Sequence, residues 1–234
     1  MKQLIVLVLA LLLSGCESTE LIEEILSGSS SSSGELTDQT IARGLKEALT
    51  VGSGRVVDTL GAQGGFLDGA FRIPLPDKLQ DAQEVAARFG LSKPFDELEV
   101  RMNRAAEAAT PKARELFVGA IRQMSFSDVM SIYRGGDDAA TQYLRRTTGE
   151  SLESQMRPVI DNSLEDVGAA QTLESLISRY NALPLVKPIE ADLTGYVTGY
   201  AEDAIFTRLA AEEADIRRNP VKRTTELLRT VFGS

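Results

Sequence analysis

The residues best equipped for chemistry lie in one polar stretch between positions 103 and 146. They carry carboxylate, amide, guanidinium and phenol groups, and the candidate site residues are Asn103, Arg104, Glu107, Asp128, Asp137, Asp138, Tyr143 and Arg145. Asp137 and Asp138 follow a pair of glycines, a context in which carboxylate oxygens can bind a divalent cation. With a second acid such as Asp128 or Glu107 in one cleft, they could instead share acid and base roles in a hydrolytic reaction.

The same two aspartates also have a structural interpretation, which we favour. Calcium takes about six to eight oxygen ligands, and the D-x-[DN]-x-[DN]-G loop that supplies them is missing from the sequence. Asp137 is instead predicted to cap the helix that follows it, with Asp138 at the positive end of that helix. We therefore predict no metal site, no cofactor and no catalytic residue.

The composition excludes several familiar kinds of catalysis. The chain has no histidine, which removes Ser-His-Asp triads, Cys-His dyads and histidine-ligated zinc. Its single cysteine, Cys16, lies close to the amino terminus, so thiol catalysis and disulfides are not available to the rest of the chain. The net charge is −9, and nucleic acid is not an expected partner because it requires a basic surface.

Residues 1–15 are typical of a signal peptide. Lys2 precedes an apolar run at 4–13 that is too short to span a membrane comfortably. The sequence LSGC at 13–16 resembles the lipobox of bacterial lipoproteins, which implies that Cys16 is acylated and becomes the mature amino terminus. The next residue is Glu17 and not the aspartate of an inner-membrane retention signal. We therefore expect a lipid-anchored protein of the cell envelope, on the periplasmic face of the outer membrane.

The rest of the chain is predicted to form a tether and a single all-α domain. Residues 16–35 contain acids and a serine tract, which has little to bury and keeps the backbone flexible. Over residues 36–234 apolar residues recur every three or four positions, the spacing of helices in a bundle. Capping and breaking residues, among them a capping box formed by Ser125 and Asp128, predict eight to ten helices, at 41–60, 76–90, 94–109, 111–124, 125–135, 138–148, 150–166, 170–180, 189–215 and 220–232.

Opposite charges cluster in the sequence EEADIRR at 212–218. This segment precedes Asn219-Pro220, where one predicted helix ends and the next begins. We expect the charges to form a surface or half-buried salt-bridge network at this junction.

Four stretches of the sequence resemble the bacterial lipoproteins grouped as domain of unknown function 4197. They are FRIPLP at 71–76, MNRAAEA at 102–108, the segment from 117 to 148, and the ending that starts at 212. The resemblance covers about residues 36–233 and implies an all-helical protein exported to the envelope. It implies no established activity, and no catalytic residues can be transferred from it.

Three functions are compatible with these observations. The first is a non-catalytic binding or scaffold module, held at the membrane by its lipid and facing an envelope protein partner. The second is a helical pocket protein that binds a small apolar or amphipathic ligand, which requires a cavity of more than roughly 300 Å³ between helices. The third is a carboxylate-based hydrolase, which requires Asp137 or Asp138 to meet Asp128 or Glu107 in a cleft.

Overall fold

The computed structural model describes residues 37–165 and 192–218, together with 175, 177 and 178. These residues contain seven helices and no strand, which confirms the all-α prediction. The helices are α1 (Asp38–Gly61), α2 (Asp77–Ala87), α3 (Lys93–Ala109), α4 (Lys112–Gln123), α5 (Phe126–Tyr133), α6 (Ala139–Glu165) and α7 (Leu193–Arg218). The signal peptide, the tether and the helix expected at 220–232 lie outside the described residues. Of the helix expected at 170–180, only residues 175, 177 and 178 are described, and they are helical. The expected total of eight to ten helices stays a prediction.

Helices α6 and α7, the two longest among the described residues, form the centre of the domain. They pack against each other, α3 and α4 cover α6, and α1 lies against α4 and α7. Aromatic side chains join these layers, with the rings of Phe117 on α4 and Phe206 on α7 centred 5.7 Å apart. Burial of these apolar faces is the main stabilising contribution, since the described part of the chain contains no cysteine that could form a disulfide.

Local sequence signals set several of the helix ends. Pro94 lies in the first turn of α3, where its missing N–H costs nothing. Ser125 and Asp128 form the expected capping box at the start of α5, with each backbone N–H donating to the other side chain at 2.9 and 3.1 Å. Gly90 has a φ of +72° after the end of α2, so the predicted stop at this glycine is confirmed.

One predicted boundary is wrong. The sequence favoured separate helices at 138–148 and 150–166, but α6 runs without interruption through Gly149. This glycine is buried against α7, and a Cβ added to it would lie 3.1 Å from Oε1 of Glu202. Close packing between α6 and α7 therefore outweighs the intrinsic cost of about 1 kcal/mol for a glycine inside a helix.

No helix among the described residues is both long enough and apolar enough to cross a membrane.

Candidate functional site

Asn103 is a fully buried link between α3 and the extended segment that precedes α2. Its Oδ1 accepts a hydrogen bond from the backbone N–H of Ile73 at 2.8 Å, and its Nδ2 donates to the Ile73 carbonyl at 2.9 Å. Nδ2 also donates to the carbonyl of Glu99 at 2.8 Å. The amide thereby satisfies both backbone groups of Ile73, which would otherwise be buried without partners.

Glu107, one turn further along α3, holds the glycine-rich loop at 61–69. Its Oε1 accepts three backbone hydrogen bonds, from Gly64, Phe66 and Leu67, at 3.0, 3.2 and 3.3 Å. Gly64 takes a φ of +88°, and this left-handed conformation favours glycine. The loop thus wraps its N–H groups around a buried carboxylate, a concave arrangement that suits an anion.

Arg104 completes the surroundings of Glu107. Its Nη1 donates to Oε2 of Glu107 at 2.6 Å, and its side chain remains about a third exposed, at 37%. Both oxygens of the Glu107 carboxylate are therefore used inside the protein. Asn103, Arg104 and Glu107 are brought together on one helix, and their contacts fix two neighbouring loops.

Asp128, in the first turn of α5, and Tyr143, on α6, are close enough for the charge of one to affect the other. Hydrogen bonds from the Ser125 side chain and backbone lower the pKa of Asp128, and the charges of Arg146 and Lys46 act in the same direction. Burial raises the pKa of Tyr143, and the charge of Asp128 raises it further. Asp128 is therefore an ionised helix cap at neutral pH, and Tyr143 is an uncharged phenol there.

The expected role of Asp137 as a helix cap is wrong. Two amides in the first turn of α6, those of Ala140 and Thr141, donate to the carboxylate of Glu213 at 3.0 and 2.9 Å, and the Thr141 hydroxyl donates to it as well. Asp137 instead pairs with Arg218 at the end of α7. Asp138 accepts a hydrogen bond from the side chain of Gln142 at 2.9 Å. A buried carboxylate from another helix thus takes the place that the local sequence offered to Asp137.

Glu213 also belongs to a bridge between two helix ends. Arg217 donates to Glu213 at 2.9 Å and to the Ile132 carbonyl, near the end of α5, at 2.9 Å. The carboxylate meets the positive end of α6 and the guanidinium meets the negative end of α5, so both charges complement the helix dipoles. This pair is largely buried, with side-chain exposures of 6% and 12%.

The salt-bridge network predicted for 212–218 is confirmed, but sequence reasoning missed the partners of its residues. Glu212 pairs with Arg55 on α1 at 3.0 Å, in addition to the contacts of Glu213, Arg217 and Arg218. The four-residue spacing of Glu213 and Arg217 was a usable signal for their pairing. No local pattern could have placed Glu213 against α6, because the two are more than seventy positions apart.

Arg145 is separate from the other candidate residues in its contacts. Its Nη1 donates to Asp203 on α7 at 2.9 Å, and its guanidinium lies 4.7 Å from the ring centre of Phe206. Arg145 therefore joins α6 to α7 through a surface ion pair and a cation–π contact.

A shallow groove of about 330 Å³ lies between α1 and α4. Its lining combines the aliphatic residues Val51, Val118 and Ile121 with polar ones, which are the cations Lys46 and Arg122, the acid Glu47 and Thr50. Lys46 donates to the carbonyls of Arg122 and Met124 at 3.2 and 2.8 Å, which caps the end of α4.

The polar residues of this domain are engaged in internal contacts wherever they are buried. Within residues 37–165 and 192–218, every buried side-chain nitrogen and oxygen has a hydrogen-bond partner. Over the same part of the chain, no three acids lie close enough together to hold a metal ion. The described arrangement is an all-α domain in which buried carboxylates and amides tie loops and helix ends to the core.

Comparison with known protein families assigns the chain to one of them. The family described as "Protein of unknown function (DUF4197)" matches residues 35–233. Since this match covers most of the chain, the protein belongs to that family, as its motifs indicated. No curated protein matches the chain, and no solved structure matches it.

Proposed function

We propose that the protein is a membrane-anchored lipoprotein of the cell envelope and that its helical domain is a non-catalytic binding or scaffold module. The anchor is Cys16, which follows a signal peptide in a lipobox-like sequence. Several acyl chains on one residue give stable anchoring, because each buried methylene contributes roughly 0.8 kcal/mol. Glu17 favours the outer membrane, with the domain on the periplasmic side.

The proposal that the domain is non-catalytic rests on one observation, that the buried acids already bind groups inside the protein. Glu107 binds a loop, Glu213 binds the start of α6, and Glu212 binds Arg55, each through its carboxylate oxygens. A general acid or base must reach a substrate, and these oxygens are occupied by backbone amides and guanidinium groups. Asp128, Asp137 and Asp138 are engaged with three different partners, Ser125, Arg218 and Gln142.

Metabolic labelling with a clickable fatty acid tests the anchor. We expect label on the wild-type protein, none on Cys16→Ser, and full label on Ser18→Ala, a control just outside the lipobox. The Cys16→Ser chain should also keep its signal peptide, because cleavage before the cysteine depends on its acylation. Equal label on Cys16→Ser and wild type would contradict the proposal.

The binding part is tested by crosslinking the wild-type protein in its native envelope. We expect one or a few envelope components to be captured, and capture should decrease when surface residues are changed while the fold is kept. A purified protein that turns over an ester or glycoside substrate, and loses that turnover in Asp137→Asn or Glu107→Gln, would favour the hydrolase instead.

A second candidate function is binding of a small amphipathic ligand in the α1–α4 groove. Its volume of about 330 Å³ lies in the range of ligand sites, and its lining of aliphatic residues beside Lys46, Arg122 and Glu47 suits an amphipathic ligand. Filling the groove with Val118→Phe should abolish binding of a fluorescent fatty acid, whereas Val85→Phe on α2 should leave it unchanged. Binding that survives Val118→Phe would remove this candidate.

A further inference from the structure

The carboxyl-terminal end of α2 presents large apolar side chains to solvent. Val85, Phe89 and Leu91 are exposed to 49%, 75% and 62%, although a valine, phenylalanine or leucine is usually buried. We call these three residues the apolar tip. Its other side is anchored, because Leu79 and Ala82 of the same helix are buried in the core.

Backbone hydrogen bonds fix the turn that carries Phe89 and Leu91 at the end of α2. Gly90 turns the chain in the left-handed region, and the N–H of Leu91 donates to the Ala86 carbonyl at 3.0 Å. The N–H of Gly90 donates to the Ala87 carbonyl at 3.0 Å, which completes a Schellman motif. Such a motif turns the chain back toward the last helical turn, on which Val85 lies. The backbone of the tip is therefore held by the hydrogen bonds of its own helix end.

We propose that the apolar tip inserts into the surface of the lipid bilayer that carries the Cys16 anchor. This inference rests on the proposed lipid anchoring. Twenty residues, 17–36, separate Cys16 from Thr37, and they span at most about 70 Å when fully extended. The tether thus keeps the tip close to one bilayer, and a weak apolar contact becomes effective at that high local concentration.

One cation lies directly beside the tip. Arg88 precedes Phe89 and is exposed, and Lys93 follows Leu91 by two positions but pairs with Glu97. Two acids lie nearby. Asp96 accepts a hydrogen bond from the Gln83 side chain at 2.7 Å, and Glu97 pairs with Lys93 at 3.7 Å. Glu84 immediately precedes Val85, and Asp81 lies about one turn earlier on the same helix. Apolar residues beside basic ones are typical of side chains that enter the headgroup region.

A second copy of the chain suits the apolar tip less well than a bilayer does. Stable protein interfaces bury roughly 800 Å² on each partner, over about 20–30 residues. Three side chains at a helix end offer far less contact area than this. A bilayer has no such requirement, because it accepts single side chains at any position.

The absence of tryptophan from the chain makes a direct test possible. Phe89→Trp places one reporter at the tip, and Phe126→Trp places one at the start of α5, where the side chain is 54% exposed. Both changes affect exposed rings, so both variants should melt like the wild type. The full lipidated chains are reconstituted into vesicles of phosphatidylethanolamine and phosphatidylglycerol, with and without brominated lipid.

We expect the emission of the Phe89→Trp chain to shift to the blue in vesicles and brominated lipid to quench it at least twofold. Emission of Phe126→Trp should change by less than a fifth. Equal quenching of the two reporters, or none at position 89, would overturn the inference. A blue shift that follows protein concentration without vesicles would also overturn it, because the occupant would then be a second copy.

The experiments give different results if the anchor proposal is wrong and if the tip inference is wrong. If wild-type cells show no fatty-acid label while Trp emission at position 89 is still quenched on vesicles, the anchor is wrong and the tip contact stands. If the chain is labelled and floats with vesicles while position 89 is not quenched, the tip inference alone is wrong.

Discussion

Replacing Glu107 gives the sharpest stability prediction, because its buried carboxylate accepts three backbone hydrogen bonds from one loop. In Glu107→Ala the buried N–H of Phe66 loses its acceptor, at a cost of roughly 1–3 kcal/mol. The half-buried amides of Gly64 and Leu67 can regain water, and each loses about 0.5–1.5 kcal/mol of net stabilisation. The ion pair with partly exposed Arg104 adds at most about 1 kcal/mol. The expected total is roughly 2–7 kcal/mol.

Urea unfolding of the domain without its first 35 residues measures this loss. Glu107→Gln keeps an acceptor oxygen for the loop and should lose only about 1–2 kcal/mol. Glu115→Ala, an exposed change on α4, is the matched control and should stay within about 0.5 kcal/mol of wild type. Amide hydrogen exchange at Phe66 should accelerate in Glu107→Ala only. An Ala variant as stable as the control would refute the idea that Glu107 holds the loop.

The remaining polar contacts are expected to differ widely in their contribution. Glu213→Gln breaks a buried ion pair and should lower the free energy of unfolding by about 3–5 kcal/mol in urea titrations; a loss below about 1 kcal/mol would contradict the bridge between α5 and α6. Asp137→Asn and Asp137→Ala should both cost under about 1 kcal/mol, because the residue makes a surface pair and does not cap α6; a clear difference between the two would restore the capping role. Hydrogen bonds from Ser125 lower the pKa of Asp128 below its ordinary 3.8. The contribution of this cap to the free energy of unfolding is therefore present at neutral pH and is lost as the pH falls through the folded-state pKa. Ser125→Ala should raise the pKa of Asp128 in a carboxyl NMR titration, and an unchanged pKa would exclude this cause.

Features that depend on neighbouring residues could be predicted from the sequence. The capping box of Ser125 and Asp128 spans three positions, Pro94 starts a helix, and Gly90 ends one. These signals act within a single turn of chain, so their geometry follows from the residue types themselves. The all-α class follows in the same way from apolar spacing.

Features that depend on distant residues could not be predicted. The start of α6 is capped by Glu213, and the backbone of Ile73 is bound by Asn103, thirty positions away. Gly149 continues a helix because α7 lies against it, and nothing in its own neighbourhood indicates that. The candidate polar residues have partners that depend on how the helices pack, so the sequence alone could not place those contacts.

The central claim is that the domain works from a lipid anchor at Cys16. Intact-mass spectrometry of the wild-type protein, purified from envelope membranes in detergent, tests it most directly. The account predicts a chain that begins at Cys16 and carries a diacylglyceryl group and a further acyl chain on that residue. A chain that keeps residues 1–15, or one that begins elsewhere and carries no lipid, would contradict it.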